Sequence, residues 1–269
     1  MCELFALSAR GPVDVKLSLA ELARHGGESG IHADGWGVAF LEGRDARVYR
    51  EPEAAATSPW VRCLQDNPVR SDTVVAHIRH ATRGAISLAN TQPFVRELGG
   101  HAHAFAHNGH LGDSILSMRT PTARFTPIGG TDSEAAFCLL MDTFAAEPAF
   151  HDGNSVDRTL CIFALFARRM RLLGPANIIL AANGRLLIHA DRRTQRPGVI
   201  EPPGLWLLQR SCSAGRAEAF AGGGVHVDGQ ALKVVLIASV PLTSERWQPL
   251  EQGTVLAIEH GEIVRSVAS

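Results

Sequence analysis

The sequence predicts an α+β fold of stacked layers with mainly antiparallel sheets. Short apolar or alternating segments, which are typical of strands, follow one another directly over much of the chain. Helical segments are few and are grouped mid-chain, which argues against the strand–helix alternation of a parallel sheet. The glycine clusters at residues 99–100, 129–130 and 222–224 lack the spacing of a nucleotide-binding loop.

The elements can be assigned in order along the chain. Strands are predicted at residues 2–8, 36–41, 73–78, 103–106, 177–181, 186–190, 205–208, 232–238 and 254–258. Helices are predicted at residues 17–24, 59–66, 133–146 and 156–173. Thr131 or Asp132 is expected to cap the third helix. Gly174 and Pro175 form a stop signal after the fourth.

Composition excludes several classes of function. The 269 residues include 26 Lys and Arg against 27 Asp and Glu, a net charge of −1, so no footprint for nucleic acid or an anionic membrane is present. No apolar run approaches the roughly 20 residues that span a bilayer, and no secretory signal is expected. The five cysteines are scattered without a CxxC pair. We therefore expect a cytoplasmic protein without a disulfide framework or a structural zinc site.

Cys2 is the most informative single residue. A small apolar side chain opening the first strand is one interpretation of it. Alternatively, removal of Met1 by an aminopeptidase leaves a thiol and a free α-amino group on the same residue. The unperturbed pKa is about 8.5 for the thiol and about 7.7–8.0 for the amine, so the amine can accept the thiol proton near neutral pH. Nucleophile and base then come from one residue.

Four further segments contain residues suited to holding an amino acid. They are HADGWG (residues 32–37), VVAHIRHATRG (74–84), FAHNGHLG (105–112) and GGTDSEAAF (129–137). With the initial MC and residues 238–264, they make the chain resemble the class II glutamine amidotransferases, in particular the stand-alone, YafJ-like branch. The resemblance implies the four-layer αββα sandwich of N-terminal-nucleophile hydrolases. It also implies a single domain over residues 2–269, with Met1 removed and no metal or organic cofactor.

The resemblance assigns two residues to the charged ends of the substrate. Arg79 matches the arginine that pairs with the α-carboxylate of glutamine, a group that fits the planar guanidinium fork. Asp132 matches the aspartate that holds the α-ammonium group. The alternatives are a surface ion pair for Arg79 and a helix cap for Asp132, a role that is compatible with substrate binding.

The resemblance also assigns an oxyanion hole and two pocket residues. The Asn108 side-chain amide and the Gly109 backbone N–H match the donors to the tetrahedral oxyanion. The alternative for this pair is an Asn-Gly hairpin turn. His80 and Thr82 are expected to line the substrate pocket through backbone or hydroxyl contacts. Trp36 is expected either as a pocket wall or as a core aromatic.

Two features depart from or compete with this assignment. Gln92, in NTQPF (residues 90–94), stands where many synthase-linked relatives carry a histidine, so the flap over the substrate is expected to differ. Six histidines fall between His77 and His110, and His101 and His103 on one strand face could be metal ligands. No acidic residue lies nearby at ligand spacing, which disfavours a metal site.

The implied activity is cleavage of the γ-amide of glutamine through a Cys2 thioester, with release of ammonia. The sequence leaves open a hydrolase or transferase of γ-glutamyl peptides such as glutathione. It also leaves open a silent glutamine-binding regulatory module. The expected partners are a glutamine or γ-glutamyl substrate, a separate ammonia-accepting synthase subunit and a second copy in a homodimer.

Overall fold

A computed structural model describes residues 2–17, 34–81, 84–118, 122–147, 155–211, 225–228 and 233–269, with the backbone alone at 14–17 and 225–228. The strands in chain order are β1 (Glu3–Leu17), β2 (Trp36–Glu42), β3 (Asp45–Glu51), β4 (Val69–Ile78), β5 (Phe94–Leu98), β6 (His101–Gly109), β7 (Ala176–Ala182), β8 (Arg185–His189), β9 (Arg193–Arg196), β10 (Val199–Glu201), β11 (Trp206–Ser211), β12 (Val225–Asp228), β13 (Lys233–Ala238), β14 (Gln248–Pro249), β15 (Thr254–Glu259) and β16 (Glu262–Ala268). The α-helices are α1 (Pro59–Asp66), α2 (Asp132–Ala145) and α3 (Val156–Arg171).

Two large antiparallel sheets form the centre of the described structure. The first has the strand order β14-β11-β13-β1-β4-β2-β3, with β12 paired to β1. The second has the order β16-β15-β8-β7-β6-β5. Strands β9 and β10 form a separate two-stranded sheet.

The sheets stack face to face with helices outside them. Side chains alternate between the two faces of each strand, so Leu4 and Ala6 of β1 point between the sheets and meet Ala104 and Ala106 of β6. Helix α1 covers the outer face of the first sheet, where Trp36 is fully buried as a core residue. Helices α2 and α3 cover the outer face of the second sheet. The predicted αββα sandwich is confirmed.

Every predicted strand is present, and helix α1 has the predicted bounds. The predicted helix at residues 17–24 is wrong at its first position, because Leu17 ends β1; its other residues lie outside the described part of the chain. The cap of α2 is Thr131, whose Oγ1 accepts a hydrogen bond from the Glu134 N–H at 3.2 Å. Asp132 is therefore the first helical residue and not the cap. Over the described ranges, no helix is long and apolar enough to cross a membrane.

Two buried histidines make the stability of the fold depend on pH. His103 is 3% exposed and His189 is fully buried, and burial lowers the pKa of each to about 4. The His189 Nδ1 lies 2.6 Å from the Ala176 carbonyl oxygen, and its Nε2 lies 3.2 Å from Ser269 Oγ. Both rings are therefore held neutral in the folded state.

We expect the two histidines to lower the free energy of unfolding as the pH drops from about 6.5 to about 4. Glu3, whose pKa is raised by burial to about 7, contributes in the opposite direction over part of this window. An unfolded histidine, with a pKa near 6.5, binds a proton in this window while the folded one does not, so protonation favours unfolding. Urea unfolding at several pH values measures the slope. His189→Gln should make the slope shallower, whereas His260→Asn, at an exposed turn, should leave it unchanged. Identical slopes in wild type and His189→Gln would contradict this origin.

Candidate active site

Cys2 lies immediately before β1, at the end of the first sheet where β4 also ends. The β1–β4 register pairs Glu3 with Ile78, which brings Cys2 beside the two residues that follow β4. Its Sγ lies 3.3 Å from the His80 backbone nitrogen, which donates to it, and 3.4 Å from the His80 carbonyl oxygen. Side chains of an extended chain alternate between two faces, so the Cys2 side chain lies on the same face as those of Leu4 and Ala6, which point between the sheets.

The surroundings of the Cys2 thiol act on its pKa in opposite directions. Burial raises the pKa, because the thiolate loses hydration. The hydrogen bond from the His80 N–H and the positive charge of Arg79 oppose that effect. Burial is the larger influence, so the resting thiol is protonated at neutral pH.

Arg79 is 4% exposed and is held by backbone carbonyls. Its two terminal nitrogens donate to the Asp34 and Gly84 carbonyl oxygens, each at 3.3 Å. Burial lowers the pKa of Arg79, but a guanidinium stays cationic at neutral pH. The structure therefore places a buried cation next to the Cys2 thiol, and the alternative of a surface ion pair is wrong.

His80 and Asp34 form the rim of the same site. The His80 Nδ1 lies 3.4 Å from Asp34 Oδ2, and that oxygen accepts the Ala81 backbone N–H at 2.7 Å. His80 therefore contacts Cys2 through its backbone, and its predicted contact with substrate stays a prediction. Thr82 lies outside the described residues, so its predicted contact with substrate stays a prediction.

Asn108 and Gly109 are the last two residues of β6, in the second sheet. They pair with Asn177 and Ala176 of β7, so the alternative of an Asn-Gly hairpin turn is wrong. The Asn108 Nδ2 donates to the Cys2 carbonyl oxygen at 2.7 Å, which joins the two sheets at the site. The Asn108 carbonyl accepts from Asn177 Nδ2 at 3.1 Å.

Gly109 occupies a position that excludes any side chain. A Cβ built there would lie 1.8 Å from the Pro175 carbonyl oxygen and 2.7 Å from His107 Nε2. The first of these contacts is with backbone and cannot be relieved by a rotamer change. The backbone at the end of β6 therefore packs directly against the backbone of Pro175.

Asp132 is 5% exposed and lies in the first turn of α2. Its Oδ2 accepts the Leu111 N–H at 2.7 Å, and its Oδ1 accepts the Ser133 N–H at 2.9 Å. The His110 Nδ1 lies 3.7 Å from Oδ2. A carboxylate is stabilised at this helix end by the dipole and by both amides. Asp132 is thus joined to the segment that follows Gly109, whereas Arg79, His80 and Asn108 each lie next to Cys2.

Asn90 connects two of the predicted site segments, a role that no sequence motif indicated. Its Nδ2 donates to the Ala85 carbonyl at 2.9 Å, and its Oδ1 accepts the Gly130 N–H at 2.9 Å. Gly84, whose carbonyl holds Arg79, lies against Asn90 and Thr131. Asn90 therefore ties the loop that holds Arg79 to the loop that precedes Asp132.

A buried ion pair beside the nucleophile was also missed. Glu3 is fully buried, and its Oε1 accepts from Arg193 NH2 at 3.0 Å. Arg193 NH1 donates to the Ser239 carbonyl at 2.5 Å, and Ser239 Oγ accepts the Leu4 N–H at 3.0 Å. The first two residues of β1 are thus fixed to β9 and to the end of β13. The sequence signal for this pair is an acidic residue directly before the apolar run at residues 4–7.

Two histidines of the histidine-rich segment, both on β6, have hydrogen-bond partners within the protein. His107 Nδ1 lies 2.8 Å from Ser133 Oγ, and His103 Nδ1 lies 3.0 Å from the His101 carbonyl oxygen. Within the part of the chain that the structure describes, no three His, Cys, Asp or Glu side chains are grouped as metal ligands.

The chain is similar to known proteins over nearly its whole length. YafJ from Escherichia coli (strain K12) is 34% identical over 259 residues, covering 94% of this chain and 95% of YafJ. A crystal structure described as a predicted glutamine amidotransferase from Pseudomonas aeruginosa PA01 is 31% identical with a TM-score of 0.71, covering 98% of this chain and all (100%) of that one. Glutamine phosphoribosylpyrophosphate amidotransferase from B. subtilis shares the fold, with 15% identity and a TM-score of 0.56 over 99% of this chain and 49% of its own.

The two stacked antiparallel sheets with helices outside them define the αββα sandwich that the chain shares with these solved structures. The family model for class II glutamine amidotransferases matches residues 1–269, and the chain belongs to that family.

Gly109→Ala tests the close approach at the end of β6. We expect the free energy of unfolding to fall by about 1–3 kcal/mol, because the added methyl group forces the backbones apart. Gly112→Ala is the matched control, since a Cβ there meets its nearest atom at 3.7 Å, an ordinary contact. The control should stay within about 0.5 kcal/mol of wild type in urea unfolding. Equal effects of the two substitutions would contradict the close approach.

Proposed function

We propose that this chain hydrolyses the γ-amide of glutamine through a γ-glutamyl thioester on Cys2 and releases ammonia. The observation that carries the proposal is the environment of the Cys2 thiol. Its Sγ accepts the His80 N–H at 3.3 Å beside the Arg79 cation, and Asn108 Nδ2 lies 2.7 Å from the carbonyl of the same cysteine. A thiol, a cation and an amide donor thus converge from both sheets.

Substrate binding would use the two buried charges. Arg79 would pair with the α-carboxylate of glutamine through two parallel hydrogen bonds, and Asp132 would accept the α-ammonium group. One cation and one anion together select the zwitterionic end of an amino acid and reject simple amides. With both charged groups at the α-carbon held in this way, the side chain of glutamine would extend its γ-amide toward Cys2.

The chemical steps balance without a metal or cofactor. After removal of Met1, the Cys2 α-amino group takes the thiol proton, and the thiolate attacks the carbonyl carbon of the γ-amide. The resulting ammonium returns its proton to the leaving nitrogen, the C–N bond breaks and ammonia departs. Water then attacks the thioester carbon while the amine takes a proton from it. Cleavage of the C–S bond releases glutamate and restores the thiol.

Asn108 and Gly109 would stabilise the oxyanion of the tetrahedral intermediates. Asn108 Nδ2 carries two hydrogens, and it donates to the Cys2 carbonyl oxygen at 2.7 Å and to Ser239 Oγ at 3.4 Å. It would keep the bond to the Cys2 carbonyl and exchange the longer bond to Ser239 for one to the oxyanion. The Gly109 N–H would supply the second donor. Removing one such donor typically lowers the rate by about 10²–10³.

Cys2→Ala should abolish ammonia release while leaving the fold intact. The substitution removes the nucleophile but only one sulfur atom from the site. The assay follows ammonia from glutamine and dipeptide from glutathione, using protein whose Met1 removal is confirmed by mass spectrometry. Cys63→Ala and Cys161→Ala, at exposed positions, are matched controls that should retain full activity.

The two substrates separate the remaining alternatives. Ammonia from glutamine supports the proposed hydrolysis and directs attention to a synthase partner. Turnover of glutathione alone makes the chain a γ-glutamyl peptide hydrolase. Activity that persists in Cys2→Ala contradicts the nucleophile, and a processed wild type that turns over neither substrate contradicts the proposed function.

Arg79→Lys should raise the KM for glutamine by about 10- to 100-fold, because lysine keeps the charge but loses the two-pronged hydrogen bonds. Arg70→Lys, at an exposed position on β4, the strand that Arg79 follows, is the matched control and should leave KM unchanged. Asp132→Asn should raise KM as well, since the α-ammonium loses its counter-charge. Steady-state kinetics of ammonia release measures both effects. A large fall in kcat with unchanged KM would contradict these roles.

A further inference from the structure

One edge of β6 loses its partner strand just before the candidate oxyanion hole. Strand β5 pairs with this edge from Leu98 opposite His101 to Phe94 opposite Phe105. Strand β7 covers the other edge as far as Gly109. Backbone N–H and C=O groups of alternate residues point to the same edge of an antiparallel strand. His107 and Gly109 therefore point their N–H groups to the edge where β5 has ended.

The side chain of Gln92 takes the place of the missing strand opposite His107. Its Oε1 accepts the His107 N–H at 2.6 Å, and its Nε2 donates to the His107 carbonyl oxygen at 3.3 Å. The residue is 5% exposed, so these bonds lie away from solvent. One carboxamide thus makes both hydrogen bonds that a paired strand residue would have made with its backbone.

Gln92 is itself fixed from the first sheet. A Cβ at Gly37 of β2 would lie 2.3 Å from the Gln92 carbonyl oxygen, so the two backbones are in direct contact. The Thr91 carbonyl beside it accepts from Arg50 NH1 at 2.8 Å. The first sheet therefore holds the backbone of Gln92, while its side chain holds the second sheet.

We propose that Gln92 is a positioning residue for the oxyanion hole, a role that rests on the proposed function. Its carboxamide fixes the peptide of His107 and so sets the direction of the Gly109 N–H and the Asn108 side chain. It also occupies the strand edge at His107. The next N–H along that edge is that of Gly109, which is the donor that faces the oxyanion. Gln92 itself touches neither the substrate nor Cys2 in this role.

The proposal predicts an effect on turnover and not on binding. The oxyanion exists only during the reaction, whereas Arg79 and Asp132 bind the resting zwitterion. Gln92→Met keeps the side-chain length and removes both hydrogen bonds. We expect kcat for ammonia release to fall about 10- to 100-fold, while KM for glutamine stays within about threefold. Gln92→Glu, which keeps an acceptor for the His107 N–H, should lose less.

The control variant is Gln195→Met. Gln195, on β9 in the separate two-stranded sheet, likewise makes two side-chain hydrogen bonds to backbone, donating to the Glu201 and Pro203 carbonyl oxygens. The variant should leave kcat and KM unchanged. Thermal unfolding establishes that each variant is folded at the assay temperature. Alkylation of Cys2 by iodoacetamide, followed by mass spectrometry, forms no oxyanion and should proceed in Gln92→Met within about twofold of the wild-type rate.

A double variant completes the test. If Gln92 acts through the oxyanion hole, Gln92→Met should lower kcat less in an Asn108→Ala background than in wild type. Additive effects, an unchanged kcat in folded Gln92→Met, a rise in KM alone, or slowed alkylation in parallel with kcat would each overturn the positioning role. An inactive wild type would instead overturn the proposed function, and the role of Gln92 with it.

Discussion

The hydrogen bond from Asn108 Nδ2 to the Cys2 carbonyl depends on how closely the two sheets approach at this end of the sandwich. That approach is set by the apolar layer between them, where the small side chains of Ala6, Ala104 and Ala106 face one another. Packed sheets normally lie about 10 Å apart. A bulkier side chain in this layer would separate Asn108 from Cys2 without touching either residue. The geometry of the candidate site is therefore a property of the core.

Backbone groups make up much of the candidate site. The thiol accepts a backbone N–H, Arg79 is held by two backbone carbonyls, and Asp132 accepts two backbone amides. Buried side chains such as Asn90 and Gln92 in turn bond to the backbone of neighbouring segments. A buried polar atom without a partner costs about 1–3 kcal/mol, so these bonds strongly favour one arrangement of the loops. The site loops are therefore held in place by the hydrogen bonds that their buried polar groups require.

The sequence predicted the central strands because their apolar residues are buried on both faces and form continuous runs, as in β7. It missed β3 and β16, whose mixed and half-exposed residues resemble loops. The resemblance assigned roles to Arg79, Asn108 and Asp132, since each lies in a recognisable local motif. It could not locate Asn90 or the Glu3–Arg193 pair, because their roles depend on contacts between segments distant in the chain. Local patterns carry no information about such contacts.

The burial that shields the Cys2 thiol also limits its reactivity. Its raised pKa means that a base must remove the proton before attack, even with the His80 N–H and Arg79 nearby. Under the proposed mechanism this base is the α-amino group of the same residue, whose unperturbed pKa of about 7.7–8.0 lies close to neutrality. An amide bond to Met1 removes the basicity of that nitrogen and leaves the thiol protonated. Removal of Met1 would therefore supply the base that this buried thiol requires.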